Sequence, residues 1–375
     1  MKDYIELVIL ILLCLKTSTR LMADANITRI SILNSCYNFN HIEFSTLSTR
    51  EGLSNSQVNV IFRDRDGFMW FGTQSGLDRF DGYRFKNYFF NKEDKNSLPN
   101  NTVDDIQQDF KGDLWIHTLS GYCILDLHHE CFDSNLSSWM QKRGMKGVPN
   151  KVLIDKAGNF WLNIYGKGCY FYDVHRKKAC FFRQGTGIPK GQVVAFALRG
   201  NTVVITYRNG LLVCVDGYHQ HIVWINRDAQ KYSPVRIAAS KTFIDKEHNY
   251  WLEGETGCMI YSSTLHHWFG SLFSFCKAMG ISLPYFNLIV KDINQDASGR
   301  ILLATDHQGL LILDGKRHSC QTYMCKSGQE GSLPDNTLQT IYRDISGGFW
   351  IGTYENGLAY CSNNSSRFMI LPLGD

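Results

Sequence analysis

The chain lacks the patterns by which most chemistry announces itself. It has no C-x-x-C, no G-x-S-x-G, no H-E-x-x-H, no Walker loop and no dinucleotide fingerprint. That argues against a thioredoxin-like redox pair, a serine hydrolase elbow, a zinc protease and a phosphate cradle. Cys320 and Cys325 stand too isolated for a zinc site, which wants four ligands. No catalytic residue, metal or cofactor is therefore expected. Charge of one sign is lacking too: 39 Lys and Arg oppose 35 Asp and Glu, for a net +4. Nucleic-acid binding wants a concentrated basic face, and the longest basic run, His175-Arg176-Lys177-Lys178, reads as a solvated turn. Long apolar runs are missing as well. The longest, Leu7 to Leu15, has nine residues, where a membrane span takes about 20. Proline is scarce at 7 residues, against 32 glycines and 13% aromatics. That balance suits short strands joined by tight turns.

Self-similarity is the strongest positive signal. Asp66-Gly67-Phe68-Met69-Trp70-Phe71-Gly72-Thr73, leading to Gly76-Leu77, returns as Gly347-Gly348-Phe349-Trp350-Ile351-Gly352-Thr353, leading to Gly357-Leu358. Related copies centre on Trp115, Trp161 and Trp251. Two looser copies place Val203 and Leu302 where tryptophan stands elsewhere. The spacings are 45, 46, 42, 48, 51 and 48 residues. A period in the forties with strand and turn signals is that of four-stranded propeller blades. The expected fold is all-β: a seven-bladed propeller over residues 26–375, closed by an N-terminal strand.

Within a unit, Gln57 to Asp64 reads as the first strand, followed by a turn containing Asp and Gly. The second strand carries the tryptophan, the third runs from Leu77 to Phe80, and Asp81-Gly82 makes a hairpin before the aromatic fourth strand. The tryptophan fills the gap between neighbouring sheets, so the copies with Val203 and Leu302 are expected to be the less regular blades. Phe39–Leu47 and Arg367–Ile370 both resemble a fourth strand, and a ring needs only one of them. Cys123, Cys169, Cys214, Cys258 and Cys361 fall in the third strand and read as small buried hydrophobes. Cys123 and Cys131 are candidates to face each other across a hairpin. Lys2, the run Leu7–Leu15 and Ala23-Asp24-Ala25 fit a secretory signal over residues 1–25, although Asp3 and Glu6 dilute its positive start. Export to the periplasm or beyond is the expectation.

Gly52-Leu53-Ser54-Asn55, Val58, Asp66 to Thr73, Gly76-Leu77 and Phe80-Asp81-Gly82 together resemble the two-component-regulator propeller repeat. The resemblance covers roughly residues 39–375. It implies the periplasmic sensor part of a hybrid two-component histidine kinase, with an oligosaccharide as ligand. It also implies partners: a second propeller or a sensor partner chain, with the membrane span and kinase outside this sequence.

Candidate binding residues lie in the turn after each second strand, where loops gather around a propeller's channel. They are Gln74, Tyr165, Tyr207, Arg208, Glu255, Asp306, His307, Tyr354 and Glu355. Flat rings stack on sugar faces, while carboxylates and amides take hydroxyl hydrogen bonds. The histidines 128, 129, 175, 219, 221, 266, 267 and 318 sit near third-to-fourth-strand hairpins and read as exposed turn residues. Two other readings compete with a glycan sensor. One is a secreted, lyase-like propeller enzyme, for which Glu255 and His307 are the available pair. The other is a protein-interaction scaffold.

Overall fold

The computed structural model describes residues 42–232, 241–254 and 257–362. The signal segment, the strand expected at 367–370 and Glu255 lie outside the described residues. Seven four-stranded antiparallel sheets form the ring of residues Glu43–Asn363. Blade one is Val58–Arg63, Met69–Thr73, Gly76–Phe80 and Phe85–Tyr88, each strand pairing with the next. The first strands of adjacent blades touch around most of the ring, so they are the inner strands. Ser45–Leu47 supplies the outer strand of blade seven, pairing Ser45 with Tyr360 and Leu47 with Leu358. This is the closure the sequence calls for, and it covers the edge that Leu358–Cys361 would otherwise expose.

The core is a series of clusters between neighbouring blades. Trp70 packs with Ile106, Leu114 and Ile116 of blade two, and Trp115 with Phe160 and Leu162 of blade three. Trp251 packs against Val290, Ile293 and Leu303 of blade six. An aspartate six residues earlier holds several of these indoles. The Trp70 N–H donates to Asp64 Oδ2 at 2.7 Å, Trp251 to Asp245 at 2.8 Å and Trp115 to Asp109 at 3.3 Å. The other oxygen of Asp64 accepts the Phe68 N–H across the turn, so one side chain orders both turn and tryptophan.

Blade four corrects the repeat alignment by one residue. Tyr207 donates its N–H to Leu211 O, as Thr305 does to Gly309 O and Thr353 to Gly357 O. The residue three before Tyr207 is Val204, and it packs toward Tyr250 and Leu252 of the next blade, as the tryptophans do toward theirs. Val203 faces backward, in the cluster of Trp161 and Phe171. A one-residue slip turns a strand residue to the opposite face. The copies without tryptophan are not the irregular ones either. Blade four has strands of 7, 6, 5 and 6 residues and blade six of 6, 5, 5 and 5. In blade five, which keeps Trp251, the first and fourth strands have 3 residues each. Burying Val204 and Leu302 among other apolar side chains suffices to order their strands.

Among the described residues, three short helices in blade-to-blade links escape the strand-only reading, the shortest being Ala229–Tyr232. Leu136–Gln141 buries Leu136 and Met140, and Leu272–Ala278 buries Leu272, Phe275 and Cys276. The last of these lies within the 51-residue spacing between Trp251 and Leu302. The five third-strand cysteines are buried free thiols. Cys123 and Cys131 do not face each other: Asp126, three residues beyond Cys123, is the partner of Cys131 in the ladder.

Candidate functional site

The turns after the second strands are fastened to the inner strands. Gln74, Arg208, Asp306 and Tyr354 each donate the backbone N–H to a carbonyl at the start of their own blade's inner strand: Gln57, Gln192, Ile289 and Thr337. Gly357 and Gly309 donate to Ser56 O and Asn336 O, in the link entering the following blade. These turns and the links therefore share one end of the ring, beside the mouth of its channel.

The expected ligand residues fare differently there. Gln74 and Glu355 are exposed, Tyr165 is 66% and Tyr354 44% exposed, and Arg208 is half-buried. Asp306 Oδ2 forms an ion pair with Lys291 at 3.6 Å, and its Oδ1 lies 2.6 Å from His307 Nδ1. That pair makes the one direct side-chain link between candidates among the described residues. Tyr207 is a correction. It is fully buried and its hydroxyl donates to Pro189 O at 3.0 Å. The slip in blade four draws it into the strand, at the place of Thr73 and Thr353. The histidines do not converge on a metal: no group of three or more ligating side chains occurs among the described residues.

The sequence reading missed a column of polar residues in the second strands, near the same end of the ring. It occupies the residue two beyond each central position. Blades one, six and seven have Gly72, Ala304 and Gly352 there. A Cβ at Gly72 would lie 2.5 Å from Val60 and 2.6 Å from Val103, so the neighbouring blade leaves it no room. Blades two to five instead carry His117, Asn163, Thr206 and Glu253. His117 Nδ1 lies 2.5 Å from Asp104 Oδ1, and Thr206 pairs with Thr242 of the next blade at 2.7 Å. Aligning the repeats on the tryptophans would have revealed most of this column. The slip in blade four hid the rest.

Charge concentrates around blades five and six. Lys241 Nζ lies 3.0 Å from Asp292 Oδ1, while Thr340 Oγ1 and the Ile341 N–H donate to Asp292 Oδ2 at 2.9 and 2.8 Å. Lys241 is ringed by protein yet keeps 46% of its side chain accessible, as a group lining an open channel does. Burial pulls its pKa down, but Asp292, helped by Glu253 and Asp105, outweighs this and holds it above the ordinary value. Burial pushes the Glu253 carboxyl up to about 7, against the pull of Lys241. Around the ring, Tyr122 donates to Asp105 Oδ2 at 3.1 Å and accepts the Val152 N–H at 3.2 Å. Burial holds its phenol well above the usual range.

Comparison with known proteins bears on the same end of the ring. The two-component regulator propeller family matches residues 52–75 and 332–355, which run through the links and second-strand turns of blades one and seven. A histidine kinase P4 from Formosa agariphila is 44% identical over 55 residues, 15% of this chain and 4% of that protein. The extracellular domain of a putative hybrid two-component system from B. thetaiotaomicron superposes with a TM-score of 0.65 at 20% identity, over 86% of this chain and 42% of that one. A virginiamycin B lyase from Staphylococcus aureus has the same fold at 10% identity and a TM-score of 0.58, over 86% of this chain and 99% of the lyase. The chain thus spans under half of the hybrid-system domain and a small part of the kinase. It is a seven-bladed β-propeller carrying the two-component regulator repeat, matched in its first and last blades.

Proposed function

We propose that this propeller is an extracytoplasmic ligand-sensing domain of a two-component system, and that its ligand is an oligosaccharide received at the channel mouth. One observation carries the reading. The turns that differ most from blade to blade, with exposed Tyr165, Tyr354, Gln74 and Glu355, lie at the end of the ring where the inner strands begin. Aromatic faces and mixed polar groups suit sugars. The likeness to an extracellular domain of a hybrid system supports placement outside the cytoplasm. No helix among the described residues is long and apolar enough to cross a membrane. The domain acts by binding, without turnover, and hands the signal to parts of a sensor beyond this propeller. A lyase-like role would rest on His307 together with Glu255; His307 pairs through Nδ1 with Asp306 and is exposed, so a ligand screen should also look for cleaved sugar.

A thermal-shift screen of the purified chain against defined tetrasaccharides tests the reading. A saturable rise in Tm for one of them, lost in Tyr354→Ala, is the expected result. No rise across the panel, or release of cleaved sugar, would count against it.

A further inference from the structure

The seam between blades four and five holds a second cavity, apart from the mouth. Its volume is about 280 Å³, close to the lower end of small-molecule sites at about 300 Å³. Four aromatic rings line it, meeting at steep angles. Trp224 and Tyr250 lie 6.0 Å apart at 87°, Tyr250 and Tyr261 5.9 Å at 62°, and Tyr261 and Trp268 5.4 Å at 50°. A flat guest can therefore lie against one ring while its rim faces the others.

Two lining groups are left incomplete. Trp268 is 4% exposed and its indole N–H has no acceptor, as with Trp350 and unlike those of Trp70, Trp115 and Trp251. The Arg199 Nε is likewise buried without a partner. A buried, unpaired N–H costs about 1–3 kcal/mol, which a guest oxygen would offset. The lining also has a sign, set by Arg199, and contains no carboxylate. The Arg199 charge is felt inside: burial raises the Tyr250 phenol, and Arg199 pulls against it.

We propose that this cavity binds one uronate residue, a pyranose ring bearing a carboxylate. The carboxylate pairs with Arg199, a ring oxygen or hydroxyl accepts from the Trp268 N–H, and the sugar face rests on an aromatic wall. Arg199 ends the inner strand of blade four, and His248 and His266 stand in turns, all at the opposite end of the strands from the mouth. The site is thus separate from the one proposed above, and it extends that reading to a second, acidic position.

Equilibrium titration of the purified chain by intrinsic tryptophan fluorescence tests this, with methyl galacturonide, methyl galactoside and benzoate as probes. Saturable binding of the galacturonide is expected. It should be at least about tenfold weaker for the galactoside and in Arg199→Gln, the effect of losing one charge-assisted contact. It should be unchanged in Tyr354→Ala. Trp224→Ala, on a half-buried outer-strand position, serves if Arg199→Gln fails to fold, and should also abolish binding. Absence of galacturonide binding, equal binding of galactoside or benzoate, or full affinity in a folded Arg199→Gln would each overturn the proposal. Tetrasaccharide binding at the mouth that persists without galacturonide binding would sink this site alone. The reverse pattern would sink the mouth alone.

Discussion

A tryptophan in the middle of a blade is dry for packing, and leaving its buried N–H without an acceptor is costly, a cost that Trp350 bears. Asp64 removes that cost for Trp70 and caps the preceding turn through its other oxygen. Asp64→Ala should therefore cost more than one hydrogen bond, about 2–4 kcal/mol, because it strands a buried donor and loosens a turn. Denaturant unfolding checks this; a loss within about 0.5 kcal/mol, the range of ordinary surface changes, would refute it. Glu253 makes the opposite kind of prediction. Its folded pKa, about 7, stands above the ordinary 4.5. Its contribution to stability is thus fully present below about pH 4.5 and is lost as pH rises through 7. Glu253→Gln should flatten the dependence over that window and gain about 1–3 kcal/mol at pH 8. Melting curves at pH 5 and pH 8 read the difference; parallel shifts of the two proteins would contradict it. The sequence showed the tryptophans directly, since they are large and periodic. It hid Glu253, because a single buried carboxylate has no pattern of its own until the blades are aligned.

Among the elements, the strands were legible wherever Gly and Asp mark the turns on both sides. The failures are physical. In blade four the central residue is Val204 and not Val203, and apolar residues on both faces give no alternation to fix the register. That slip also made buried Tyr207 look like a loop ligand. The link helices went unread because seven residues such as Leu272–Ala278 are too short to show a helical period. Ring closure was legible from a leftover strand at the front of the chain. Phe44, at its start, is 6% exposed, donates its N–H to Gly331 O and meets Tyr323 edge-on at 6.2 Å. Phe44→Ala should cost about 3–5 kcal/mol. It should also raise hydrogen exchange in 358–361, since this strand covers that edge. An unchanged exchange rate there would mean the closure carries little of the stability.

At the scale of the whole molecule, the ring holds its blades by clusters between neighbours and leaves the mouth free to vary. Around one side of the channel, small residues at 72, 304 and 352 let blades close tightly. Around the other, His117, Asn163, Thr206 and Glu253 put polar groups in the same column, with Asn163 and Thr206 fully buried. The fold was readable from repetition. The turns after the second strands lie at the end of the ring where the repeat pattern puts them, but the column of residues beneath them was not read.

The central claim is that a sugar is read at that mouth. Hydrogen exchange of the purified chain, with and without the best-binding tetrasaccharide, tests it most directly. The account predicts slowed exchange in the turns around 74–76, 165–167, 306–309 and 354–357. Unchanged exchange in all of them, with the sugar shown to be bound, would contradict it.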